Sequence, residues 1–281
     1  MLARSGQRIS PVAMIPTITF IIPVRHQENA ADWSKLKSNL SCTLASISAQ
    51  TSSDWKAVVV ANRGADLPPL PAQVDVAWVD FPPNALHEQG SADRETFYDA
   101  VRRDKGRRVL AGMLHAGEMK YVMVVDDDDF VSNKLVAHAA QHPDLTGWYI
   151  DVGYLWGDGD PGVYLYTGFS KLCGTSHIVN AALYQLPASL ETADETYIKK
   201  MLGSHTYIHE HLLAARTPLI ALPFPGAIYR VGYTGAHSKS ARVFSRYFAH
   251  PWLLWSPGEL FRRLSNVRWK SRSMRAEYFG G

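Results

Sequence analysis

Four consecutive aspartates directly follow an apolar run in the stretch KYVMVVDDDDFV, which extends from Lys120 to Val131. An apolar run of this length, ended by polar residues, predicts a buried β-strand. Alternate residues of an extended segment point to the same side, about 6.6 Å apart. Two bare carboxylates at that distance repel each other by about 2.5 kcal/mol at an effective dielectric constant of about 20. The run therefore indicates that a positive group belongs at the end of this strand.

Strand-like apolar runs alternate with helical periodicity in the first half of the chain. The predicted strands are TITFIIPV, WKAVVVANRG, VDVAWVDF and KYVMVV, and the predicted helices are WSKLKSNLSCTLASISAQ and FYDAVRRDKGRRVLAGMLHA. Strands that are apolar on both faces and alternate with helices are typical of an α/β fold with a mostly parallel, Rossmann-like central sheet. Ligands of such sheets bind beyond the carboxyl ends of the strands. Asp126 to Asp129 stand at such an end, which makes them the centre of a predicted site.

The pattern changes after Asn133. Two aromatic, β-rich runs flank the turn signal GDGDPG in GWYIDVGYLWGDGDPGVYLYTGF, which predicts an antiparallel hairpin. A helical stretch is expected over roughly 193–215, followed by short strands in PLIAL and GAIYRV. The second half therefore predicts a smaller antiparallel part beside the parallel sheet.

Cysteine content and hydropathy indicate where such a chain resides. Cys42 and Cys173 are too few for a disulfide framework and suit a reducing compartment. No segment approaches the roughly 20 apolar residues of a membrane span. Arg4 and Arg8 interrupt the N-terminus before an apolar run develops, so we expect no signal peptide. These features predict a soluble, cytoplasmic protein.

The C-terminal segment 241–281 is strongly basic. It carries eight basic and two acidic residues, and tryptophans and leucines are interleaved with them. Such a segment could lie on an anionic membrane surface. It could equally form a helix that packs on the core with a solvated basic face. The remaining chain is net acidic, which argues against a nucleic-acid partner.

A divalent cation is the positive group that the aspartates suit best. Carboxylate oxygens bind Mg²⁺ or Mn²⁺, and Mg²⁺ commonly takes one or two carboxylates and completes its shell with phosphates and water. Asp126 and Asp128 are the alternating pair, whereas Asp129 could cap a helix. The chain has no P-loop and no glycine-rich turn after its first strand, so a metal ion would have to hold the phosphates of a nucleotide.

Three stretches, in order and spacing, resemble the GT-A glycosyltransferases of family 2. They are ITFIIPVRHQEN, LKSNLSCTLASISAQTSSDWKAVVVANRG and KYVMVVDDDDFV, and LPFPGAIYRVG resembles a later strand of that family. The resemblance implies a GT-A domain over 17–240, with a nucleotide-binding half (17–132) and an acceptor half (133–240). Residues 1–16 would be an extension, and residues 241–281 would be a helical tail. Any peripheral contact with a membrane would be made through this tail. The implied activity is a metal-dependent, inverting hexosyltransferase reaction, which moves one sugar from a UDP- or GDP-linked donor to a glycan or lipid-linked acceptor.

The resemblance also implies roles for individual residues. Asp126 and Asp128 would hold Mn²⁺ or Mg²⁺, and the loop residue His237 could be a third ligand. The implied donor-binding residues are Pro23, Val24, Arg25, Glu28, Asn62, Arg108, Asp126, Asp127, Gly174 and Thr175. Lys105 and Arg107 belong to the same basic cluster as Arg108, which could contact the diphosphate or merely form a solvated helix face. Asn62 stands where the family has a base-reading aspartate, and its amide could still read a nucleobase edge.

Inverting transfer needs a general base that takes the proton of the acceptor hydroxyl. The family's acidic base corresponds here to His205, counted back from Leu222 and Pro223. Histidine, with a reference pKa of about 6.5, is a competent base at neutral pH. Glu210 is the nearest carboxylate and the second candidate. His205 and His209, four residues apart on a helix, could alternatively bind zinc, but no third ligand is evident.

Two other functions compete with this hypothesis. A sugar nucleotidyltransferase would share the architecture and the metal, but it needs a glycine-rich basic loop where this chain has PVRHQENAAD. A non-catalytic carbohydrate- or metal-binding module could use the aspartates and aromatic residues without turnover.

Overall fold

Four adjacent parallel strands, built from the predicted apolar runs, form one half of the larger of two sheets. The computed structural model describes residues 15–88, 90, 92–232, 247–250, 253 and 255–281. The strands are β1 (Ile18–Pro23), β2 (Trp55–Asn62), β3 (Val74–Val79), β4 (Tyr121–Val124), β5 (Phe130–Val131), β6 (Gly147–Tyr149), β7 (Val152–Gly157), β8 (Gly162–Thr167), β9 (His177–Asn180), β10 (Ile220–Ala221), β11 (Ala227–Val231) and β12 (Val267–Trp269). The helices are α1 (Trp33–Ser48), α2 (Arg94–Ala116), α3 (Leu135–Ala140), α4 (Glu195–Tyr197), α5 (His205–Ala214), α6 (Pro257–Leu264) and α7 (Arg272–Tyr278).

The larger sheet has the order β10-β6-β9-β4-β1-β2-β3. Strands β1, β2, β3 and β4 are mutually parallel, whereas β9 runs antiparallel to β4 and to β6. The smaller sheet has the order β12-β8-β7-β11-β5, and β7 and β8 form the predicted antiparallel hairpin. The mixed α/β fold with a mainly parallel central sheet and a smaller, mostly antiparallel sheet is therefore confirmed.

Each face of the parallel sheet is covered by one long helix. Phe20 and Ile22 belong to the same core cluster as the apolar side of α1, while Ile21 packs with the residues of α2. A side chain at Gly112 of α2 would lie 2.7 Å from Val60, so this glycine lets the helix approach the sheet closely. Burial of each large apolar side chain contributes about 1.5–3 kcal/mol. The two helices thus fix β1 and β4, whose ends carry the predicted site.

Polar residues set the ends of these helices. Asp32 caps α1 by accepting a hydrogen bond from the backbone N–H of Lys35, and Asp93 caps α2 through the N–H groups of Glu95 and Thr96. Such caps contribute about 1 kcal/mol each.

The helical stretch expected over 193–215 is present, but it is divided into two parts. Helix α4 continues into a π-helical turn, Ile198–Leu202, before α5 begins at His205. A side chain at Gly203 would lie 2.1 Å from the carbonyl oxygen of Arg102, and one at Gly106 would lie 2.1 Å from that of Ile198. Two glycines therefore let the turn and α2 touch backbone to backbone, and this contact brings His205 towards the cavity side of α2.

The C-terminal segment contains a strand as well as helices, which a helical tail did not predict. Strand β12 pairs with β8 and becomes the edge of the smaller sheet. The Tyr278 side chain of α7 is buried, and its hydroxyl donates a hydrogen bond to the Pro225 carbonyl at 2.6 Å. Within the described residues, no helix is long and apolar enough to cross a membrane.

Candidate functional site

The four aspartates after β4 divide into two groups. Asp126, Asp127 and Asp128 line a cavity, whereas Asp129 is fully buried. The backbone N–H of Asp129 donates to the carbonyl of Asp126 at 3.2 Å, so the run folds into a turn. The strict alternation expected for an extended segment is therefore wrong, and three consecutive carboxyl groups border the same cavity.

Asp129 holds three segments together. Its Oδ2 accepts hydrogen bonds from the Cys173 thiol at 3.2 Å and from the Thr175 hydroxyl at 2.6 Å. Its Oδ1 accepts one from the backbone N–H of Arg230 at 3.2 Å. Burial, together with the neighbouring Asp128 and Asp126, raises the pKa of Asp129 well above its usual range. This aspartate shapes the loop and does not face the cavity.

Thr175 belongs to the same structural group. Its hydroxyl oxygen accepts the backbone N–H of Asp126 at 2.9 Å while its proton goes to Asp129. The Thr175 side chain is fully buried and lines neither cavity near the aspartates. Thr175 thus positions Asp126. Because its hydroxyl borders neither cavity, it is not placed to contact a bound sugar nucleotide, contrary to the prediction.

The cavity beside Asp126 has a volume of about 240 Å³ and joins acidic to basic side chains. It is lined by Pro23, Arg25, Asn29, Asn84, His87, Val101, Asp104, Lys105, Arg108, Asp126, Asp127, Asp128, Tyr229 and Arg230. Six predicted residues are among them, namely Pro23, Arg25, Arg108, Asp126, Asp127 and Asp128. Val24 is fully buried and Glu28 is exposed, and neither lines the cavity. The combination of carboxylates with guanidinium groups suits a ligand that carries both a metal and phosphates.

Lys105 lines both this cavity and a second one. Its ammonium group donates to the Asp126 carboxylate. Burial alone would raise the pKa of Asp126, but the Lys105 charge outweighs it and holds that pKa below its usual range. A side chain at Gly174 would lie 2.7 Å from Asp126 Oδ2 and 2.8 Å from Lys105 Nζ. The absence of a side chain at Gly174 therefore leaves room for this ion pair.

Both polar atoms of the Asn62 side-chain amide form hydrogen bonds within the protein. Its Oδ1 accepts from Arg108 Nη1 at 2.7 Å, and its Nδ2 donates to the Phe81 carbonyl at 2.6 Å. Arg108 is also held by Asp104, whose Oδ2 accepts from Nε at 3.0 Å. Asn62 does not line the cavity, so in this arrangement its part is to orient the Arg108 guanidinium that does.

The loop after β3 supplies cavity residues that sequence reasoning missed. Asn29 Nδ2 donates to the Asn84 carbonyl at 3.1 Å, and the Asn84 N–H donates back to Asn29 Oδ1 at 2.7 Å. A hydrogen bond of 3.1 Å joins the His87 ring to the same carbonyl. The polar sequence PPNALHE at the carboxyl end of a predicted parallel strand was the available signal.

His205 lies in the second cavity, which has a volume of only about 30 Å³. The backbone of Lys171 is hydrogen-bonded to the His205 ring, while Nε2 is buried without a protein partner. We therefore assign the proton to Nδ1, which leaves the Nε2 lone pair facing inward. Burial, and next the Lys105 charge, lower the pKa of His205, so the ring is neutral at pH 7. Glu210 is exposed and lines neither cavity.

Two further histidines surround His205. The His177 and His209 ring centroids are 5.6 Å apart, and His209 also contacts the Tyr149 ring at 5.1 Å. The Ser176 hydroxyl lies 3.0 Å from His177 Nδ1, and burial lowers the pKa of His177 to about 3. No three His, Cys, Asp or Glu side chains of the described residues are arranged to hold a metal ion. His237 lies outside those residues.

Asp126 and Asp128 nevertheless fit a hard divalent cation. They face one cavity, and the buried Oδ2 of Asp127 beside them has no hydrogen-bond partner. Two carboxylates suit a cation that takes its other ligands from phosphates and water. This donor set is therefore suited to Mg²⁺ or Mn²⁺ that arrives with a nucleotide.

Comparisons with known proteins give only distant similarities. No protein-family model matches the chain, and no curated protein is similar to it in sequence. A structure of S. aureus TarS is 14% identical, with a TM-score of 0.43 over 76% of this chain and 37% of TarS. TarS 1-349 in complex with UDP-GlcNAc is 18% identical, with a TM-score of 0.42 over 80% of this chain and 61% of that one.

A third similar structure is Rv0371C from Mycobacterium tuberculosis H37Rv in complex with manganese. It is 10% identical, with a TM-score of 0.34 over 90% of this chain and 100% of Rv0371C. This chain spans less than two thirds of the TarS structures. Similarities at this level transfer neither a function nor a site residue.

Proposed function

We propose that this chain is a GT-A glycosyltransferase, with residues 17–240 as its catalytic domain. It transfers one sugar from a nucleoside-diphosphate sugar to an acceptor hydroxyl, with inversion. The observation that carries the proposal is the cavity at the carboxyl ends of β1 and β4. It combines the carboxyl groups of Asp126 to Asp128 with the guanidinium groups of Arg25, Arg108 and Arg230.

The donor diphosphate would occupy this charged cavity. Charge-assisted hydrogen bonds from guanidinium and ammonium groups to phosphate are about twice as strong as neutral ones. Arg108 is preorganised for such bonds because Asn62 and Asp104 hold it. Mn²⁺ or Mg²⁺, held by Asp126 and Asp128, would supply charge neutralisation of the leaving diphosphate.

The proton of the acceptor hydroxyl would pass to His205. Its neutral ring, its buried Nε2 and its contact with the backbone of Lys171 suit a general base. The second cavity, which contains His205, borders the donor cavity at Lys105, so base and donor lie on opposite sides of one ion pair. In a single displacement, attack from the base side and departure on the metal side invert the anomeric carbon.

The acceptor is proposed to be a glycan or a lipid-linked glycan, as in polysaccharide synthesis. The cavity beside His205 is too small for a sugar ring, so an acceptor would have to widen it or approach from its mouth. A lipid-linked acceptor would place the reaction at a membrane surface.

Calorimetric titration of UDP and of GDP, each with and without Mn²⁺, tests the proposal. The wild type should bind one nucleotide in a metal-dependent manner, and Asp128→Ala should abolish that dependence. Asp80→Ala is the matched control, because Asp80 is exposed, pairs with Arg63 and lies outside the cavity.

The proposal fails if neither nucleotide binds or if Mn²⁺ makes no difference. Metal-dependent binding without transfer or hydrolysis of any UDP- or GDP-sugar would instead support a non-catalytic module. Release of pyrophosphate from a nucleoside triphosphate and a sugar phosphate would identify a sugar nucleotidyltransferase.

A further inference from the structure

Helix α6 presents two apolar side chains to solvent and its Glu259–Arg263 ion pair to the protein. Phe261 is 75% exposed and Leu264 is 53% exposed. On the inner side, Arg263 donates to Glu259 Oε1 at 2.7 Å and to the Tyr247 carbonyl at 2.5 Å. A helix that packs on its own core shows the reverse arrangement. The outer face of α6 is therefore built for something other than the core of this chain.

Two further exposed apolar side chains, both tryptophans, lie in the same segment of the chain. Trp255, directly before α6, is 87% exposed, and Trp269 on β12 is 69% exposed. With Phe261 and Leu264, they are four of the nine large apolar side chains that are exposed in the described residues. Single exposed apolar residues are normal, but such a concentration within one short segment marks an interaction surface.

The same segment is cationic. Arg262, Arg268, Arg272 and Arg275 are all exposed. Its two acidic residues are already engaged within the protein. Glu259 pairs with both Arg262 and Arg263, and Glu277 accepts hydrogen bonds from Ser132 and Lys134. An approaching partner therefore meets net positive charge.

Helix α6 and strand β12 both lie next to strand β8 of the smaller sheet. Tyr247, which α6 contacts, stacks on Tyr164 of β8 at 4.3 Å, and β12 pairs with β8 directly. Strand β11, whose Tyr229 and Arg230 line the charged cavity, lies three strands from β12. At about 4.8 Å per strand, the separation is about 14 Å.

We propose that the C-terminal segment, through its exposed residues Trp255, Phe261, Leu264, Trp269, Arg268 and Arg272, binds the headgroup region of an anionic lipid bilayer. Tryptophan is the aromatic residue favoured at headgroup depth, and the phenylalanine and leucine would reach the acyl boundary. The arginines gain from the negative surface potential, which uncharged headgroups lack. This charge complementarity favours a bilayer over a second copy of the chain, whose identical surface would repel it. The proposal does not depend on the glycosyltransferase reaction.

Flotation of the full chain with lipid vesicles tests the proposal. Vesicles of mixed phosphatidylglycerol and phosphatidylcholine should bind the protein, vesicles of phosphatidylcholine alone should bind it much more weakly, and added salt should weaken the anionic binding. The double variant Arg268→Gln/Arg272→Gln should lose about thirtyfold in affinity for anionic vesicles. Phe261→Ser/Trp269→Ser should lose at least about tenfold. Trp78→Ser, an exposed tryptophan on β3, is the matched control and should bind normally.

Thermal unfolding of each variant verifies that these exposed substitutions leave the fold intact. Absence of vesicle binding by the wild type overturns the proposal, as does equal, salt-insensitive binding to both kinds of vesicle. If Phe261→Ser/Trp269→Ser abolishes self-association in sedimentation equilibrium while vesicle binding persists, the face serves a second copy and the lipid proposal is wrong.

Discussion

The two cavities on either side of Lys105 differ in size and in charge. The larger cavity, of about 240 Å³, is lined mainly by charged side chains of both signs. Two asparagines, a histidine, a tyrosine, a proline and a valine also line it. The smaller, of about 30 Å³, is lined mostly by apolar side chains and by His177 and His205, whose burial keeps both rings neutral at pH 7. Among the residues that the structure describes, Lys105 alone lines both of them.

In the proposed reaction, this difference would separate donor binding from proton transfer. Binding of a charged sugar nucleotide needs fixed positive groups and is compatible with nearby solvent. A general base instead needs a lone pair that is not occupied by a hydrogen bond from water. Because one ion pair divides the cavities, changes on one side should affect binding and changes on the other should affect turnover. The following predictions test that division, from the largest expected effect to the smallest.

His205→Gln should lower kcat about a thousandfold, or about 4 kcal/mol in barrier height, because general-base catalysis contributes about 10²–10⁴-fold. Nucleotide affinity, measured by calorimetry, should stay unchanged. Glu210→Gln on the same helix is the control and should keep kcat within about twofold. The opposite pattern, with loss in Glu210→Gln alone, would assign the base to the exposed carboxylate.

Thr175→Val should affect both cavities at once. It removes the hydroxyl that joins Asp126 to Asp129, so the Asp126 N–H loses its acceptor and the Asp129 carboxylate loses one of its three hydrogen bonds, which should lower the free energy of unfolding by about 3 kcal/mol. Urea denaturation measures this loss, and nucleotide affinity should fall with it. Thr167→Val, on the exposed end of β8, should change stability by less than about 0.5 kcal/mol. Equal stability of the two variants would show that Thr175 does not organise the loop.

Lys105→Met should weaken nucleoside-diphosphate binding about thirtyfold, which corresponds to about 2 kcal/mol for a hydrogen bond to a charged group. The same substitution should strengthen Mn²⁺ binding to the nucleotide-free protein, because Asp126 loses its ammonium partner. Calorimetry measures both constants. Arg103→Met, an exposed position on the same helix, is the control. A fall in Mn²⁺ affinity would contradict a competition between Lys105 and the metal.

His177→Gln should flatten the pH dependence of stability. The folded pKa of His177 is about 3 and its unfolded pKa is about 6.5, so the unfolded chain binds a proton that the folded one does not. Stability from this residue is therefore complete above pH 6.5 and declines as the pH falls towards 3. Between pH 7 and pH 5.5 the wild type should lose about 1 kcal/mol more than the variant.

The groups that face His177 are Ser176, His205, His209 and, beyond them, Lys105 and Asp126. All of these remain in the variant, so the difference between the two urea denaturation series isolates His177. Parallel pH profiles would mean that folding does not lower the pKa of His177.

The fold was largely predictable, because its signals are local. Apolar runs such as TITFIIPV predict a β-strand from about six residues alone. The turn sequence GDGDPG likewise predicts a hairpin, whatever packs against it. Strand β12 gave no such signal. It has only three residues, which is too short for an alternating apolar pattern, and it forms because it pairs with the edge of β8. The break at Gly203 was also hidden, because its cause is a backbone contact with Arg102 in another helix.

The site was predictable by residue type but not by side-chain role. Four identical aspartates give no indication of which one turns inward, since that depends on Cys173, Thr175 and Arg230. The engagement of Asn62 depends likewise on Arg108, which lies on a different element. Long-range hydrogen bonds of this kind leave no trace in local sequence patterns.

The hydrogen bonds of Asp129 also set the order in which the protein can assemble. Its partners Thr175 and Arg230 lie 46 and 101 residues further along the chain. Closing such loops costs conformational entropy before any contact rewards it. The parallel strands β1, β2 and β4 can therefore form while the aspartate turn is still unshaped. A nascent chain that ends before Arg230 would already contain all four aspartates together with Cys173 and Thr175, yet it would lack the backbone N–H that binds Asp129 Oδ1.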